Sequence, residues 1–381
     1  MQKVKRAIAL SGGGPPVGLQ LGALKALDEK DIAFDVFATD CIGSWTACIY
    51  NSHPKAARFG KMREFYNACF VPDAVFDGFS VPVNIFVTDY FQDWLIYWQK
   101  LLDYRTYQGL FLPRYIGEFM LYYLDPANFP RTSVDLSLMI TKAMSLHPWT
   151  RLMFKLSYQN RKTGRSWLLG PENHGEGFVG QYIDFKKLMQ IRTMIYLNAF
   201  NLTQRRINLF VNRPDHPKYK PITLRALKAN SSILGYLENW EIEGDKYCEG
   251  AVADTVNFKG LLRNHPDLDE IWVINILDYK EIKPPENPLE ADLLAVELPF
   301  TTIAHDDVKL FAGHLKAAGL DQRIKLVKIN VSYKDLDFFW KQSTLEKGIE
   351  VGYAGAMATI EAYRESLAET TPARKLMLMT G

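Results

Sequence analysis

Cys41 is the side chain whose sequence surroundings best fit covalent chemistry. It lies in the run TDCIG at residues 39–43, which follows an apolar run at residues 34–38 and precedes an amphipathic run that begins near Trp45. This order predicts a strand, a tight turn and a helix that meet at Cys41, which is the geometry of a nucleophile elbow. An elbow of this kind would lift the thiol above the sheet, where it could attack a carbonyl carbon.

A glycine-rich segment near the N-terminus could bind an anion. The apolar residues 7–10 predict a buried parallel strand, which leads through SGGGPPVG at residues 11–18 into a helical pattern. Consecutive glycines between a strand and a helix expose backbone N–H groups, so the loop could hold a phosphate or the oxyanion of an acyl-transfer intermediate. Because the lysine and serine of a P-loop are missing, we do not expect a nucleotide site.

The third motif is acidic and lies far along the chain, in YCEGAVAD at residues 247–254, which follows LKANSS at residues 227–232. Together the three motifs resemble those of the patatin-like phospholipases: a triple-glycine loop, a Gly-x-Ser-x-Gly elbow and a distant Asp-Gly-Gly or Asp-Gly-Ala. The resemblance is good for residues 1–50 and 195–275 and poor between them. It implies a three-layer α/β/α fold with a mainly parallel central sheet.

The resemblance also implies a reaction. The chain would be a lipid acyl hydrolase or acyltransferase in which Cys41 forms a thioester acyl-enzyme with a long-chain acyl ester or thioester and Glu249 relays protons. The implied oxyanion hole consists of Gly12, Gly13, Gly14 and Ile42. We expect no cofactor, and no metal site, because the sequence contains no HExxH or comparable histidine pair.

The chain departs from the family pattern at its reacting groups. Cys41 stands for the family's serine, Glu249 for its aspartate, Thr39 for the first elbow glycine, and Pro16 for the basic residue that often follows the triple glycine. Pro16 has no N–H to give to an oxyanion. These departures leave open a second function, a catalytically inactive patatin fold that binds acyl chains or a partner protein.

Opposing effects act on the Cys41 thiol. A helix N-terminus is expected to lower its pKa and stabilise the thiolate, whereas a nearby carboxylate raises it, so that the two groups share a proton. A free cysteine is also commonly a small buried hydrophobic residue. Ser44 is the alternative nucleophile, and Asp254 is the alternative to Glu249 as the acid.

An aromatic-rich stretch separates the two family-like parts. We predict core segments at residues 1–65 and 191–381 around a helical insertion at residues 66–190. Aromatic residues recur at helical spacing in residues 84–104 and again in 115–123. They predict a lid or acyl-chain pocket that includes Trp94, Trp98 and Phe119. The alternatives are helices that dip into a membrane interface, the core of an inserted subdomain, or a dimer face.

Composition limits the class of protein. The chain has 381 residues, of which 48% are hydrophobic, and a net charge of +2, which fits a large α/β domain with an insertion and argues against a nucleic-acid partner. The four cysteines show no disulfide or zinc spacing. Because the first residues lead directly into a strand, we expect a cytoplasmic protein. A peripheral membrane location, an acyl carrier as partner and a homodimer are compatible with the sequence.

Overall fold

The computed structural model describes residues 4–78, 84–86, 90–108, 113–163, 177–234, 237–286, 288–331 and 338–379. The chain divides into two compact units. Residues 1–87 and 171–381 form the first unit, and residues 88–170 form the second.

A mostly parallel sheet forms the centre of the first unit. Its strands run in the order β5-β4-β3-β2-β1-β8-β9, with β7 paired to β3 and β6. The pairs among β1, β2, β3, β8 and β9 are parallel, whereas β4 and β7 run antiparallel to β3. The strands are β1 (Arg6–Leu10), β2 (Val36–Thr39), β3 (Met194–Asn201), β4 (Arg206–Val211), β5 (Lys220–Pro221), β6 (Trp240–Ile242), β7 (Asp245–Glu249), β8 (Glu270–Ile274) and β9 (Lys325–Ile329).

The described helices fall in both units. In chain order they are α1 (Gly18–Glu29), α2 (Cys41–Ser52), α3 (Lys55–Asn67), α4 (Asp73–Gly78), α5 (Tyr90–Leu102), α6 (Pro113–Leu124), α7 (Ser133–Leu146), α8 (Pro148–Thr163), α9 (Phe185–Leu188), α10 (Leu224–Asn230), α11 (Leu261–Asn264), α12 (Pro288–Ala317) and α13 (Gln342–Met379).

Helices cover both faces of the sheet, as the apolar strands require. On one face, Ala38 and Ile271 lie in a core cluster with Phe311 of α12. On the other face, Phe37 contacts the ring of Tyr50 in α2, with ring centroids 5.5 Å apart. Burial on both sides explains why β1, β2 and β8 are continuous apolar runs rather than alternating ones. The fold is therefore the three-layer α/β/α arrangement that the sequence predicts.

Strand β3 determines how two distant parts of the chain meet. It is longer than its parallel neighbour β2, whose last residue, Thr39, pairs with Leu197. Two residues farther along β3, Ala199 pairs with Glu249 at the end of β7. Strands rise about 3.3 Å per residue. The register therefore brings the acidic motif beside the chain just where it leaves β2.

Close backbone contact joins α1 to the long helix α13. A Cβ atom placed on Gly22 would lie 2.0 Å from the carbonyl oxygen of Ile349, and one on Gly352 would lie 2.1 Å from that of Leu19. No side chain fits at either contact, so glycine is required there for the two helices to approach. The glycine-rich loop directly precedes α1, and α13 therefore supports the element that follows this loop.

Several apolar patterns in the sequence do not end where the elements end. The pattern at residues 206–211 coincides with β4, whereas the apolar run at residues 270–277 continues beyond β8, which ends at Ile274. The helical patterns that start at residues 303 and 348 lie inside longer helices, because α12 begins at Pro288 and α13 extends from Gln342 to Met379. An apolar pattern weakens where a helix leaves the core, so the helix continues beyond the pattern that predicts it.

The compact second unit is shorter than the predicted insertion at residues 66–190. Residues 66–87 and 171–190 cluster with the first unit. Aromatic packing gives the physical reason: Tyr66 stacks with Phe86 at 6.4 Å, and Phe65 stacks with Phe178 at 5.5 Å. These rings belong to the core that α2 and α3 share.

The second unit is helical and has a small core of its own. Leu152 and Leu156 of α8 are buried, and Tyr97, Leu101 and Tyr107 pack against them. Across the described parts of the chain, no helix is both long and apolar enough to cross a membrane.

Candidate active site

Cys41 lies at a sharp turn between β2 and α2. Thr39 ends the strand, Asp40 is extended, and Cys41 is the first helical residue with a φ of 45°. A left-handed backbone at a residue other than glycine costs about 1–3 kcal/mol and marks a turn that the surrounding fold enforces. Gly43 allows the turn to pack tightly, because a Cβ atom there would lie 2.6 Å from the carbonyl oxygen of Leu10. This is the geometry of a nucleophile elbow.

The register of β3 brings Glu249 to this turn. Glu249 ends β7, and its backbone N–H donates to the carbonyl oxygen of Ser232 at 3.0 Å. Its side chain and the Cys41 thiol are both buried, and each changes the pKa of the other. The buried Oε2 of Glu249 has no hydrogen-bond partner within the described residues.

Burial keeps the proton on sulfur. Burial first, and then the charges of Glu249 and Asp40, raise the pKa of the Cys41 thiol well above its usual range, although the N–H of Ile42 acts in the opposite direction. The N–H at the helix N-terminus therefore lowers this pKa as predicted, but desolvation and two acidic neighbours outweigh that one backbone donor.

The pKa of Glu249 suits a general base. Burial raises it to about 7, against the opposing effect of the hydrogen bond from Cys41. A base works best when its pKa lies near the working pH, because it is then ionised and still takes a proton readily. The site therefore holds a neutral thiol beside a carboxyl that can accept its proton.

The glycine loop passes beside the elbow, because a Cβ atom placed on Gly12 would lie 3.0 Å from Cβ of Cys41. Gly13 and Gly14 have φ values of 145° and 65°, which a residue with a side chain rarely adopts. Within the described part of the chain, their N–H groups donate to no other protein atom. By contrast, the N–H of Gly12 already donates to the carbonyl oxygen of Thr255 at 3.3 Å. Within the described residues, two of the four residues in the predicted oxyanion hole, Gly13 and Gly14, thus keep an N–H without a protein partner, whereas the N–H of Ile42 acts on the Cys41 sulfur.

The two alternative side chains lie in different surroundings. Ser44 is buried and shares a hydrogen bond of 2.8 Å with Thr39, whose hydroxyl also donates to the carbonyl oxygen of Tyr196 at 3.0 Å. This hydrogen bond holds the Ser44 hydroxyl against Thr39, the last residue of β2. Asp254 lies on the turn after β7, where burial and then Asp307 raise its pKa to about 7. Asp254 is thus a second protonatable carboxyl near the site.

Three polar residues at the site escaped the sequence analysis. Asp40 precedes Cys41, and its Oδ1 accepts a hydrogen bond of 3.1 Å from Nδ2 of Asn230. The same amide donates to the carbonyl oxygen of Asn198 at 2.5 Å, and Nδ2 of Asn198 donates to that of Asp254 at 2.8 Å. The signal that could have identified the two asparagines is their polar character within buried elements, since Asn198 lies inside β3 and Asn230 ends α10. The network links the elbow to the acidic turn.

The predicted lid residues belong to the second unit. Trp94 and Trp98 are largely exposed on α5, and their rings meet edge to face with centroids 5.8 Å apart. Phe119 lies in α6, but its side chain is outside the described residues. Among the described residues, no cluster of histidine, cysteine, aspartate and glutamate side chains could hold a metal ion.

Comparison with known proteins agrees with the geometry. The family model described as patatin-like phospholipase matches residues 8–262, which is more than half of the chain and includes both the elbow and the acidic turn. The chain belongs to the patatin-like phospholipase family. Lipid acyl hydrolysis is the general activity of the family to which the chain belongs.

The other two comparisons add little. No curated protein matches the sequence significantly. Among solved structures, the crystal structure of VipD from Legionella pneumophila aligns with 94% of this chain and 67% of its own, with 11% sequence identity and a TM-score of 0.40.

Proposed function

We propose that this patatin-like protein is a lipid acyl hydrolase or acyltransferase that forms a thioester acyl-enzyme on Cys41, with Glu249 as the general base and acid. Its substrate would be a long-chain acyl ester or thioester. The observation that carries the proposal is the buried Cys41–Glu249 pair, in which the protonated thiol of a left-handed elbow residue lies beside a carboxyl of pKa about 7.

In the acylation step, ionised Glu249 takes the thiol proton as sulfur attacks the carbonyl carbon. The electron pair of the C=O bond moves to oxygen, and the N–H groups of Gly13, Gly14 and Ile42 stabilise that oxyanion. When the tetrahedral intermediate collapses, the bond to the leaving oxygen or sulfur breaks, and the leaving group takes the proton from Glu249. The products are a Cys41 thioester, a free alcohol or thiol, and Glu249 ionised again.

In the second step, water or an acceptor alcohol gives its proton to Glu249 and attacks the thioester. The sulfur leaves and recovers that proton, which restores the resting pair. A thioester reacts readily with alcohols, thiols and amines as well as with water, so the acceptor decides between hydrolysis and transfer.

The test is turnover of p-nitrophenyl and coenzyme A acyl esters of increasing chain length by wild type, Cys41→Ala and Cys48→Ala. Cys48 is a matched control, since it is also a buried thiol on α2. We expect Cys41→Ala to abolish turnover and Cys48→Ala to retain it. Added alcohols should divert product from free acid to acyl ester if the protein is a transferase.

The alternative is an inactive patatin fold that binds acyl chains. The burial that keeps Cys41 protonated favours this alternative. Absence of turnover with every ester, together with binding of a fatty acid that survives Cys41→Ala, would establish the alternative and exclude our proposal.

A further inference from the structure

Asp40, the residue before the proposed nucleophile, carries a buried carboxyl that the mechanism above does not use. Its side chain is 0% exposed. Its Oδ1 accepts from Asn230, whereas its buried Oδ2 has no hydrogen-bond partner among the described residues. An ionised carboxylate that is buried with so few donors is strongly unfavourable, whereas a neutral carboxylic acid is tolerated.

Two motif glycines enclose this carboxyl. A Cβ atom placed on Gly12 would lie 2.9 Å from Asp40 Oδ2, and one on Gly250 would lie 2.8 Å from Asp40 Oδ1. The carboxyl therefore lies between the first glycine of the oxyanion loop and the glycine that follows the proposed base. A charge at this point would act on both parts of the reaction.

The groups that face Asp40 are acidic or neutral. Cys41 adjoins it in the chain, Glu249 faces it from β7, Asp254 from the turn after β7, and Asp307 from α12. The neighbours from β3 and α10 are neutral amides, Asn198 and Asn230. Lys259 is a cation that acts on Asp254 and lowers its pKa.

Adjacent buried carboxyls do not both ionise at neutral pH, so one of them keeps a proton. Asp40 is 0% exposed and lies against both motif glycines, whereas Glu249 is 1% exposed and lies beside the Cys41 thiol. In agreement with this enclosure, burial and then the charges of Glu249 and Asp254 raise the pKa of Asp40 well above its usual range, although the backbone N–H of Cys41 acts in the opposite direction, whereas the pKa of Glu249 is about 7. Asp40 is therefore the member of the pair that keeps the proton.

We propose that Asp40 is a positioning residue that remains a neutral carboxylic acid while Glu249 ionises, so that the oxyanion forms beside an uncharged group. The proposal rests on the function proposed for Cys41 and Glu249. A carboxylate between the glycine loop and the acidic turn would repel both the developing oxyanion and the ionised base. A neutral acid at the same place leaves the N–H groups of Gly13 and Gly14 free to stabilise the oxyanion.

The first test needs no turnover. Infrared spectra of the resting protein at pH 9 should contain the carbonyl band of a protonated carboxylic acid, because Glu249 and Asp254 are ionised well below that pH. We expect this band in wild type, Glu249→Gln and Asp254→Asn, and its loss in Asp40→Asn. Absence of the band from wild type, or its persistence in Asp40→Asn, would overturn the proposal whether or not the protein is an enzyme.

A second measurement uses only wild type, so that the proposal can be tested even if Asp40→Asn does not fold. In wild type with ¹³C-labelled aspartate carboxyls, one resonance should keep the shift of a protonated acid up to pH 9. If every aspartate resonance titrates to the carboxylate position below pH 9, Asp40 is ionised and the proposal fails.

The kinetic test separates this role from simple structural support. We expect the rate of acyl-enzyme formation in wild type to fall at alkaline pH, as Asp40 loses its proton, and this fall to disappear in Asp40→Asn. A variant that only loosens the structure would slow the reaction by the same factor at every pH, and that result would contradict the proposal.

Discussion

At the residue scale, the central feature is a neutral thiol beside a carboxyl whose pKa lies near neutrality. Burial raises both pKa values, that of Cys41 well above its usual range and that of Glu249 to about 7. The pair does not resemble a preformed thiolate, which a cation or an unopposed helix N-terminus would stabilise. Catalysis by this pair therefore requires that Glu249 be ionised when the substrate arrives.

The pH dependence of acylation follows from that requirement. The rate should rise as the pH passes through about 7, because only ionised Glu249 can take the thiol proton. Glu249→Gln should lose this dependence and about 10²–10⁴-fold of the rate, which is the usual contribution of a general base. The measurement is the rate of acyl-enzyme formation between pH 5.5 and 9.

Asp254→Asn is the matched control for this prediction, since burial also raises the pKa of Asp254 to about 7. We expect Asp254→Asn to keep the rise in acylation rate as the pH passes through about 7. If Asp254→Asn removes this rise in rate and Glu249→Gln does not, Asp254 is the base and our assignment is wrong.

At the scale of elements, the site depends on β3 and on the contact between α1 and α13. Strand β3 pairs with the strands that lead into the elbow and the acidic turn, and its register places Glu249 two residues beyond the end of β2. Helix α1 follows the glycine loop and is held against α13 through Gly22 and Gly352. Changes at that helix contact should therefore affect the glycine loop as well as stability.

Gly22→Ala tests the contact. Its Cβ atom would lie 2.0 Å from the carbonyl oxygen of Ile349, so one helix must shift. We expect the free energy of unfolding to fall by about 1–3 kcal/mol, the usual cost of overpacking. Acylation should also slow, because the shift moves the helix that follows Gly13 and Gly14. Urea denaturation and the acylation rate are the measurements.

Gly60→Ala in α3 is the control, because no atom lies within 4 Å of its added Cβ. That substitution should raise the free energy of unfolding by about 0.5–1 kcal/mol through helix propensity. Equal stability of Gly22→Ala and wild type would show that the contact between α1 and α13 is looser than described.

The elements also show what the sequence could predict. The apolar runs and glycine motifs predict β1, β2, the elbow and the acidic turn, because these depend on local pattern. The hydrogen bond from Asn230 to Asp40 depends on where α10 packs against β3, whose Asn198 accepts from the same amide, and no local pattern encodes that packing. The pKa of Cys41 depends on burial by residues distant in the sequence, so a prediction from the helix N-terminus alone gives the wrong direction for the pKa shift.

At the scale of the whole molecule, burying acidic groups in the core makes stability depend on pH. Folding raises the pKa of Glu249 and of Asp254 to about 7 and that of Asp307 to about 6. The folded protein thus binds more protons than the unfolded chain between about pH 4.5 and 7. Its stability should fall as the pH rises through this window.

Denaturation at pH 5.5 and pH 8 measures this effect. We expect a larger free energy of unfolding at pH 5.5, and a smaller difference between the two pH values in the double variant Glu249→Gln with Asp254→Asn. His265, whose pKa is lowered by burial, acts in the opposite direction near pH 6 but is a single group. A free energy that rises from pH 5.5 to pH 8 would contradict the burial of these acids.

The most direct test of the whole account is the intact mass of the protein at short times after mixing with a long-chain acyl ester. The account predicts a mass gain equal to one acyl group, mapped by peptide analysis to Cys41, present in Cys48→Ala and absent in Cys41→Ala. An adduct that persists in Cys41→Ala, or turnover with no adduct on Cys41 under any condition, would contradict it.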